Sequence, residues 1–185
     1  MSARKKGIVI TKEYVDKLNK DFENSDLTTI FHWIGKHFKD TSVHFTSFSV
    51  SGVLIHYLHS KLDNKPKIVT LDTYYLFPET YKFIEDWKKE HPNDYVWTYK
   101  PKNTNSKYDF EMIFGKGLYI RDEYLYDYAV KIEPTYRALD DLGCKLWITG
   151  RRRSQGGMRK NIQLFEFDEG RIKCNPLYNF SEYDI

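Results

Sequence analysis

Short apolar segments, rich in aromatic and β-branched residues, alternate along this chain with segments of helical periodicity. Four of them predict buried strands, at residues 41–46, 67–73, 95–99 and 145–149. Helical patterns begin between the first three, at Val53 and at Thr80. Two β–α–β units in succession predict an α/β fold of three layers, with right-handed crossovers and a parallel sheet between helices.

The remaining segments fit around this sheet. Residues 11–38 predict two amphipathic helices, broken at 24–26, and residues 1–40 therefore form an N-terminal helical segment. The α/β domain spans 41–185, and the two parts together are effectively one domain. The other predictions are a polar loop with a short helix at 100–128, a short helix at 135–142, a hairpin at 161–175 and a helix start at Ser181 and Glu182.

Composition excludes several classes of function. A net charge of +3 is too small to indicate nucleic-acid binding by bulk electrostatics. The only two cysteines, Cys144 and Cys174, lack metal-ligand spacing, and His32 and His37 have no carboxylate or thiol at ligand spacing. No apolar run is long enough for a signal peptide or a membrane span. We therefore expect a protein of the cytoplasm that uses no metal, nucleic acid or membrane.

Three consecutive arginines follow the strand at 145–149. The segment at 150–159 reads GRRRSQGGMR, so Arg151, Arg152 and Arg153 stand where a parallel strand ends, and Arg159 follows. Guanidinium groups match phosphate and sulfate oxygens two at a time, and ligands of open α/β sheets bind at the carboxyl ends of strands. The segment predicts an anion site, with a solvated basic turn as the alternative.

Two further strand ends carry polar side chains. The loop at 46–52, TSFSVSG, lies between a strand and a helix, which offers backbone N–H groups to an anion, although any β–α turn contains such residues. Asp72 ends the second strand and suits ligand hydroxyls or a purine amino group; capping of the next helix is the alternative.

Taken in order, six segments resemble the phosphoadenylyl-sulfate reductase family. They are TSFSVSG at 46–52, LDT at 71–73, LFPET at 76–80, KIEP at 131–134 with Arg137 and Ala138, GRRRSQG at 150–156 with Arg159, and NPL at 175–177. The resemblance implies the adenine-nucleotide alpha-hydrolase-like fold. It also implies reduction of 3′-phosphoadenylyl sulfate to sulfite and adenosine 3′,5′-bisphosphate, with thioredoxin as the reductant.

The resemblance also implies the roles of individual residues. The 46–52 loop would cradle the phosphosulfate group, Asp72 and Thr73 at the end of the second strand would contact adenosine, and the basic residues would hold sulfate and phosphate. We expect the guanidinium groups of Arg151, Arg152 and Arg159 to converge near Ser49. The full set of expected binding residues is Thr46, Ser47, Phe48, Ser49, Ser51, Gly52, Asp72, Thr73, Lys131, Arg151, Arg152, Gln155 and Arg159.

Two departures from the family pattern bear on the chemistry. Tyr126 and Asp127 stand where the adenylyl-sulfate branch has paired cysteines, and two cysteines cannot hold an iron–sulfur cluster of four thiolates. The family nucleophile is a cysteine in a Glu-Cys-Gly tail, and no position here matches that tail. Relative to the family, the chain is therefore interpreted as C-terminally truncated, and Cys144 and Cys174 are expected to be packing residues.

Three functions stay open at this point. The first is the nucleotide-binding core of a thioredoxin-dependent reductase, and two copies of such a chain could form a homodimer. The second is a homologue that binds adenosine phosphates, or a protein partner, without catalysis. The third, an ATP pyrophosphatase, needs a Ser-Gly-Gly-x-Asp-Ser loop, and residues 46–52 have neither its glycine pair nor its aspartate.

Overall fold

The computed structural model describes residues 8–185, which form a sheet between two helical layers. Within that range the strands are β1 (Ser42–Phe45), β2 (Lys67–Leu71), β3 (Val96–Tyr99), β4 (Leu146–Ile148), β5 (Phe165–Asp168) and β6 (Arg171–Cys174). The α-helices of the same range are α1 (Lys12–Asp21), α2 (Leu27–His37), α3 (Val50–Ser60), α4 (Pro78–Glu90), α5 (Lys107–Phe114), α6 (Leu118–Arg121), α7 (Glu123–Asp127) and α8 (Glu133–Asp141).

The strand order is β3-β2-β1-β4-β6-β5. All neighbouring pairs are parallel except β5 and β6, which form the predicted antiparallel hairpin at one edge. In the centre, Val43 of β1 is in register with Lys67 of β2 on one side and with Trp147 of β4 on the other. The predicted α/β fold with a mostly parallel sheet is confirmed.

Alternation along the strands divides the core between the two faces of the sheet. On one face Leu146 and Ile148 pack with α1, α2 and α3, in a cluster that contains Phe31, Ile34 and Ile55. On the other face Val43, Val69 and Trp147 pack against Ala138 and Leu139 of α8. The helices at 12–37 thus share a core with the α/β domain.

The structure corrects several predicted boundaries. Helix α3 begins at Val50 rather than Val53, and α4 begins at Pro78 rather than Thr80, because proline suits the first helical turn. Residues 181–185 form turns instead of a helix, since the Asp184 carboxylate accepts hydrogen bonds from the Ser181 amide and hydroxyl.

Residues 107–132 are mostly helical, where the sequence predicted a loop with one short helix. Helix α5 starts at a capping box formed by Ser106 and Asp109, and a π-helical turn at Tyr128–Ile132 joins α7 to α8. Phe110 and Val130 are fully buried in a small core of their own beneath these helices. In the part of the chain described, no helix is both long and apolar enough to cross a bilayer.

Candidate functional site

The sheet has a topological switch point between β1 and β4. From β1 the chain continues through α3 to β2 on one side, whereas from β4 it continues to β5 and β6 on the other. Loops that leave adjacent strands in opposite directions open a crevice at the carboxyl ends of the strands. A cavity of about 180 Å³ lies there, lined by Phe45, Thr46, Ser47, Ser49, Gly52, Gly150, Arg151, Gln155 and Arg159.

The loop after β1 is held in a tight turn by its own side chains. The Thr46 amide donates to the Val69 carbonyl at 2.9 Å, and the Thr46 hydroxyl accepts from the Phe48 amide at 2.9 Å. Phe48 has a φ of 58°, which is unusual for a residue with a side chain. Its ring packs against Trp87, with centroids 5.2 Å apart, and this contact stabilises the left-handed conformation.

Two glycines allow the loop, α3 and β4 to approach each other closely. A Cβ atom on Gly52 would lie 2.2 Å from the Thr46 Oγ1 atom, and one on Gly150 would lie 2.9 Å from the Ser51 Cβ atom. Both distances are too short for any residue other than glycine. The two glycines therefore bring the first turn of α3 against both strand ends, at the wall of the cavity.

The N-terminus of α3 forms one side of the cavity. The first amides of a helix have no intrahelical acceptor, and the helix dipole makes this end favourable for anions. Ser49 is the N-cap residue, and its hydroxyl makes no capping hydrogen bond to the helix. The Ser49 and Ser47 side chains are both exposed at the cavity, so hydroxyl and amide donors face the same space.

Two arginines form the opposite side. Arg151 Nη1 lies 3.1 Å from Glu166 Oε2, and the same carboxylate oxygen accepts from Asn175 Nδ2 at 2.7 Å. Arg159 Nη1 donates to Gln155 Oε1 at 2.5 Å. Arg151 is thus positioned by an ion pair from β5, while Arg159 stays exposed to solvent. Two guanidinium groups facing a helix N-terminus make a site suited to a tetrahedral oxyanion.

Asp72 and Thr73 lie at the end of the neighbouring strand, β2, outside this cavity. One Asp72 oxygen accepts from the Tyr74 amide at 2.9 Å and from the Tyr81 hydroxyl at 2.7 Å. Burial, together with this hydrogen bond to Asp72, raises the pKa of Tyr81. Asp72 does not cap α4, whose N-cap residue is Phe77, and instead it stabilises the turn after β2.

The expected convergence of three arginines is found for only two of them. The Arg152 guanidinium group is turned away and buried, with its side chain 8% exposed, because it donates to Glu182 and to the Ser181 carbonyl. Lys131 is also outside the cavity, where its ammonium group lies 2.6 Å from Asp127.

Two more of the expected residues support the cavity from behind instead of lining it. Phe48 packs on Trp87, and Ser51 packs on Gly150. Seven of the thirteen candidates therefore surround the cavity directly: Thr46, Ser47, Ser49, Gly52, Arg151, Gln155 and Arg159.

Both cysteines of the chain are free and buried. Burial raises the pKa of Cys144 to about 12, and it also raises the pKa of Cys174, which is fully enclosed in β6. A thiol that stays protonated is a poor nucleophile. Among residues 8–185 there is also no group of three or more His, Cys, Asp or Glu side chains arranged to hold a metal ion.

Sequence reasoning missed two features, one at the site and one in the core. Glu166 and Asn175, which position Arg151, come from β5 and from the end of β6, and only the period-2 pattern of the hairpin hinted that both face the same way. A buried pair of histidines underlies β1: His44 Nδ1 and His59 Nε2 are 3.0 Å apart. A histidine in the middle of a strand pattern was the available signal.

Several known proteins are similar to this chain in sequence. The family model described as "Phosphoadenosine phosphosulfate reductase domain" matches residues 41–185. The chain is 35% identical over 182 residues to a phosphoadenosine phosphosulfate reductase of Emericella nidulans. It is 34% identical over 173 residues to a probable phosphoadenosine phosphosulfate reductase of Schizosaccharomyces pombe. The matches cover 94% of this chain, but only 58% and 64% of those relatives.

The fold is also similar to that of a solved relative. A crystal structure of the phosphoadenylyl-sulfate reductase of Candida auris, in complex with phosphate, superposes with a TM-score of 0.83 at 29% identity. The superposition covers 96% of this chain and 85% of that one. On its sequence and its nucleotide alpha-hydrolase-like fold, this chain belongs to the phosphoadenosine phosphosulfate reductase family.

Proposed function

We propose that the chain binds 3′-phosphoadenylyl sulfate and is the nucleotide-binding part of a reductase of sulfate assimilation. The products would be sulfite and adenosine 3′,5′-bisphosphate, with thioredoxin as the electron donor. The observation that carries the proposal is the cavity at the switch point, where Arg151 and Arg159 face the hydroxyl-bearing loop and the N-terminus of α3.

The size of the cavity limits what it holds. Sites for whole small-molecule ligands usually measure about 300–1,000 Å³, whereas this cavity has about 180 Å³. It therefore suits the phosphosulfate group, while the adenosine extends along the strand ends towards Asp72 and Thr73. Each charge-assisted hydrogen bond to such an anion contributes about 1.5–3 kcal/mol, so a few donors suffice for specific binding.

The reaction needs a thiolate as the nucleophile, and the residues that line the cavity include no cysteine. A thiolate attacks the sulfate sulfur, the bond between that sulfur and the phosphate oxygen breaks, and an S-sulfocysteine forms. Reduced thioredoxin then releases sulfite and becomes oxidised. Arg151 and Arg159 would stabilise the negative charge that develops on the departing phosphate. Because Cys144 and Cys174 are buried, we assign the attacking thiol to neither of them.

A second function is favoured by the same buried thiols. A homologue that binds adenosine phosphates without reducing them needs the cavity but no reactive cysteine. Free, unpaired cysteines are typical of a reducing compartment, so for either function we place the protein in the cytoplasm.

Calorimetry with adenosine 3′,5′-bisphosphate tests the binding site. Arg151→Ala and Arg159→Ala should each weaken binding by about 1–3 kcal/mol, while Arg171→Ala serves as the matched control. Arg171 also pairs with a carboxylate, Asp140, but at the opposite end of β6. Equal affinity in the wild type and the three variants would show that neither Arg151 nor Arg159 binds the ligand.

Sulfite release with thioredoxin and 3′-phosphoadenylyl sulfate separates the two functions. We expect this chain alone to bind the nucleotide and to release no sulfite, because its thiols are enclosed and protonated. Sulfite release that persists in Cys144→Ser but stops in Cys174→Ser, or the reverse, would identify one of them as the nucleophile and contradict our assignment.

A further inference from the structure

Another cavity lies between α3 and α4, away from the anion site. Its volume of about 510 Å³ is within the range of about 300–1,000 Å³ that is usual for small-molecule sites. Its apolar walls are Val53 and Tyr57 of α3 and Phe83 and Trp87 of α4. Each pair is four residues apart, so each helix turns one apolar and aromatic face towards the cavity.

His56 lines this cavity and has no hydrogen-bond partner for either ring nitrogen. Its side chain is 8% exposed, and both Nδ1 and Nε2 lack a hydrogen bond within the described part of the chain. Burial lowers the pKa of His56, which keeps the ring neutral. Nε2 lies 3.4 Å from Asp94 Oδ2 and therefore carries the proton, so Nδ1 is an acceptor. A buried polar atom without a partner costs stability, which a ligand that donates to it would recover.

Two more side chains of the wall have already used their donors. His91 Nδ1 lies 2.9 Å from the Trp87 carbonyl oxygen, which only accepts, so the neutral ring has its proton on Nδ1 and an acceptor at Nε2. The Ser60 hydroxyl donates to the Tyr57 carbonyl at 2.8 Å, which leaves its oxygen as an acceptor. The Tyr57 hydroxyl and the Trp87 indole N–H are the neutral donors of the wall. The polar groups of the cavity are therefore mainly acceptors.

The charged side chains that line the cavity are both acidic, Asp86 and Glu90. Asp86 is paired with the exposed ammonium groups of Lys82 and Lys89. Glu90 makes no ion pair within the part of the chain that the structure describes. A cation attached to an apolar body suits such a wall, because its N–H groups donate to carboxylates while its charge is attracted to the faces of aromatic rings.

We propose that the cavity between α3 and α4 binds a small organic cation, an ammonium or amidinium group carried on an aromatic body. The cationic group would donate to the carboxylate and imidazole acceptors, and the aromatic body would pack against Phe83 and Tyr57. This site is independent of the proposed function, since the two cavities share no lining residue.

Calorimetry with two indole compounds of similar size tests the preference for a cation. Tryptamine carries an ammonium group, whereas indole-3-propionate carries a carboxylate at a similar distance from the ring. Tryptamine should bind at least about tenfold more tightly, because the acceptors and carboxylates of the wall attract the ammonium group and repel the carboxylate. Equal affinity for the two compounds, or no binding of tryptamine, would overturn the proposal.

Variants of α4 test whether the cavity itself is responsible. Glu90→Gln should weaken tryptamine binding about two- to fivefold, the range expected for loss of an exposed ion pair. Glu85→Gln is the matched control, since it removes the same charge from an exposed position of α4 that does not line the cavity. Phe83→Ala should weaken the binding of tryptamine because it removes part of the apolar wall. The same loss in Glu85→Gln as in Glu90→Gln would show only a general attraction to the surface of α4 and would contradict the site.

Nuclear magnetic resonance of the histidine rings locates the bound compound. Tryptamine should shift the ring signals of His56 and His91, which line the cavity, and leave those of His32 and His37 in α2 unchanged. His56 signals that do not move at saturating tryptamine would place the ligand elsewhere and contradict the proposal.

Discussion

At the scale of single residues, the site depends on two contacts that leave no room for a side chain. Gly52 faces the Thr46 hydroxyl and Gly150 faces Ser51, so the first turn of α3 lies directly on the ends of β1 and β4. The Thr46 hydroxyl is fixed in place because it also accepts the Phe48 amide. The shape of the cavity thus follows from the absence of two Cβ atoms.

Gly52→Ala should destabilise the protein by about 1–3 kcal/mol, because the added methyl group overlaps Thr46 Oγ1. Urea denaturation measures the change. Thr46→Ala removes the overlapping oxygen, so the double variant Thr46→Ala with Gly52→Ala should be more stable than the sum of the two single changes predicts. Strictly additive losses would show that the contact between these residues is not tight.

Residue types predicted the anion site, but not the direction in which each arginine points. Arg151, Arg152 and Arg153 are adjacent, yet their partners are Glu166 in β5, Glu182 after β6 and the Ile162 carbonyl. These partners are 9 to 30 residues away in sequence, and each contact exists only after the segments from 160 onwards have folded. Sequence pattern carries no signal for such a choice among equal charges.

At the scale of elements, the N-terminus of α3 carries a partial positive charge, which comes from the helix dipole and not from a side chain. The helix has 11 residues, and the hydroxyl of its N-cap residue, Ser49, makes no hydrogen bond to the first amides of the helix. A hydroxyl that does not cap the helix is free to bind a ligand, which costs the helix some stability. Under the proposed function, the same end of α3 would serve both folding and anion binding, which have opposite requirements.

Ser49→Asp should separate these requirements. A carboxylate at the N-cap stabilises the helix by about 0.3–1 kcal/mol through the dipole, so thermal unfolding should shift upward. The same charge repels an anion, so affinity for adenosine 3′,5′-bisphosphate should fall. Ser49→Asn, which caps the helix without the charge, should be stabilised while binding more tightly than Ser49→Asp. Equal affinity in the two variants would show that the ligand does not approach this helix end.

Helices with a clear apolar stripe were predictable, whereas the region at 107–132 was not. Its helices are short and bury few side chains, chiefly Phe110, Leu118 and Val130, so the periodic signal is weak among many exposed tyrosines. It is stabilised by the capping box and by packing against Tyr74 and Tyr75, which a local pattern does not reveal. In the structure, helix α3 begins three residues before its predicted start for a similar reason, because the polar first turn of a helix has the same pattern as a loop.

At the scale of the whole molecule, a buried histidine cluster lies between β1 and the C-terminal half of α3. His44 of β1 contacts His59 of α3, and His59 packs against His56, which lies 3.4 Å from Asp94. Burial lowers the pKa of His44 well below its ordinary value, and it lowers the pKa of His59 to about 3. The fold therefore keeps both imidazoles neutral under conditions in which the unfolded chain would protonate them.

Stability should consequently fall as the pH drops below about 6.5, where the unfolded chain binds protons and the folded protein does not. For each histidine, the free energy of unfolding falls by about 1.4 kcal/mol for every pH unit below that pH, until the folded pKa is reached. Urea denaturation at several pH values measures the slope. The double variant His44→Leu with His59→Leu should reduce it, whereas His37→Gln, at an exposed position, should not. The same slope in both variants would contradict the account.

The parallel sheet was the most predictable property of the whole molecule. Four apolar runs with helical patterns between the first three predicted it, and parallel strands have their carboxyl ends at one edge. The strand order, and with it the switch point between β1 and β4, was not predicted from the pattern and is known from the structure. The contacts of Arg152 with residues 181–182 and the histidine cluster were not predicted either, because both depend on contacts between distant segments.

The most direct test of the central claim is a crystal structure of this chain with adenosine 3′,5′-bisphosphate. We predict a phosphate group between the Ser47 and Ser49 side chains and the guanidinium groups of Arg151 and Arg159. Density for the nucleotide elsewhere would contradict the claim. Two larger cavities offer such alternatives, one of about 460 Å³ beside Lys20 and Arg153 and one of about 510 Å³ between α3 and α4.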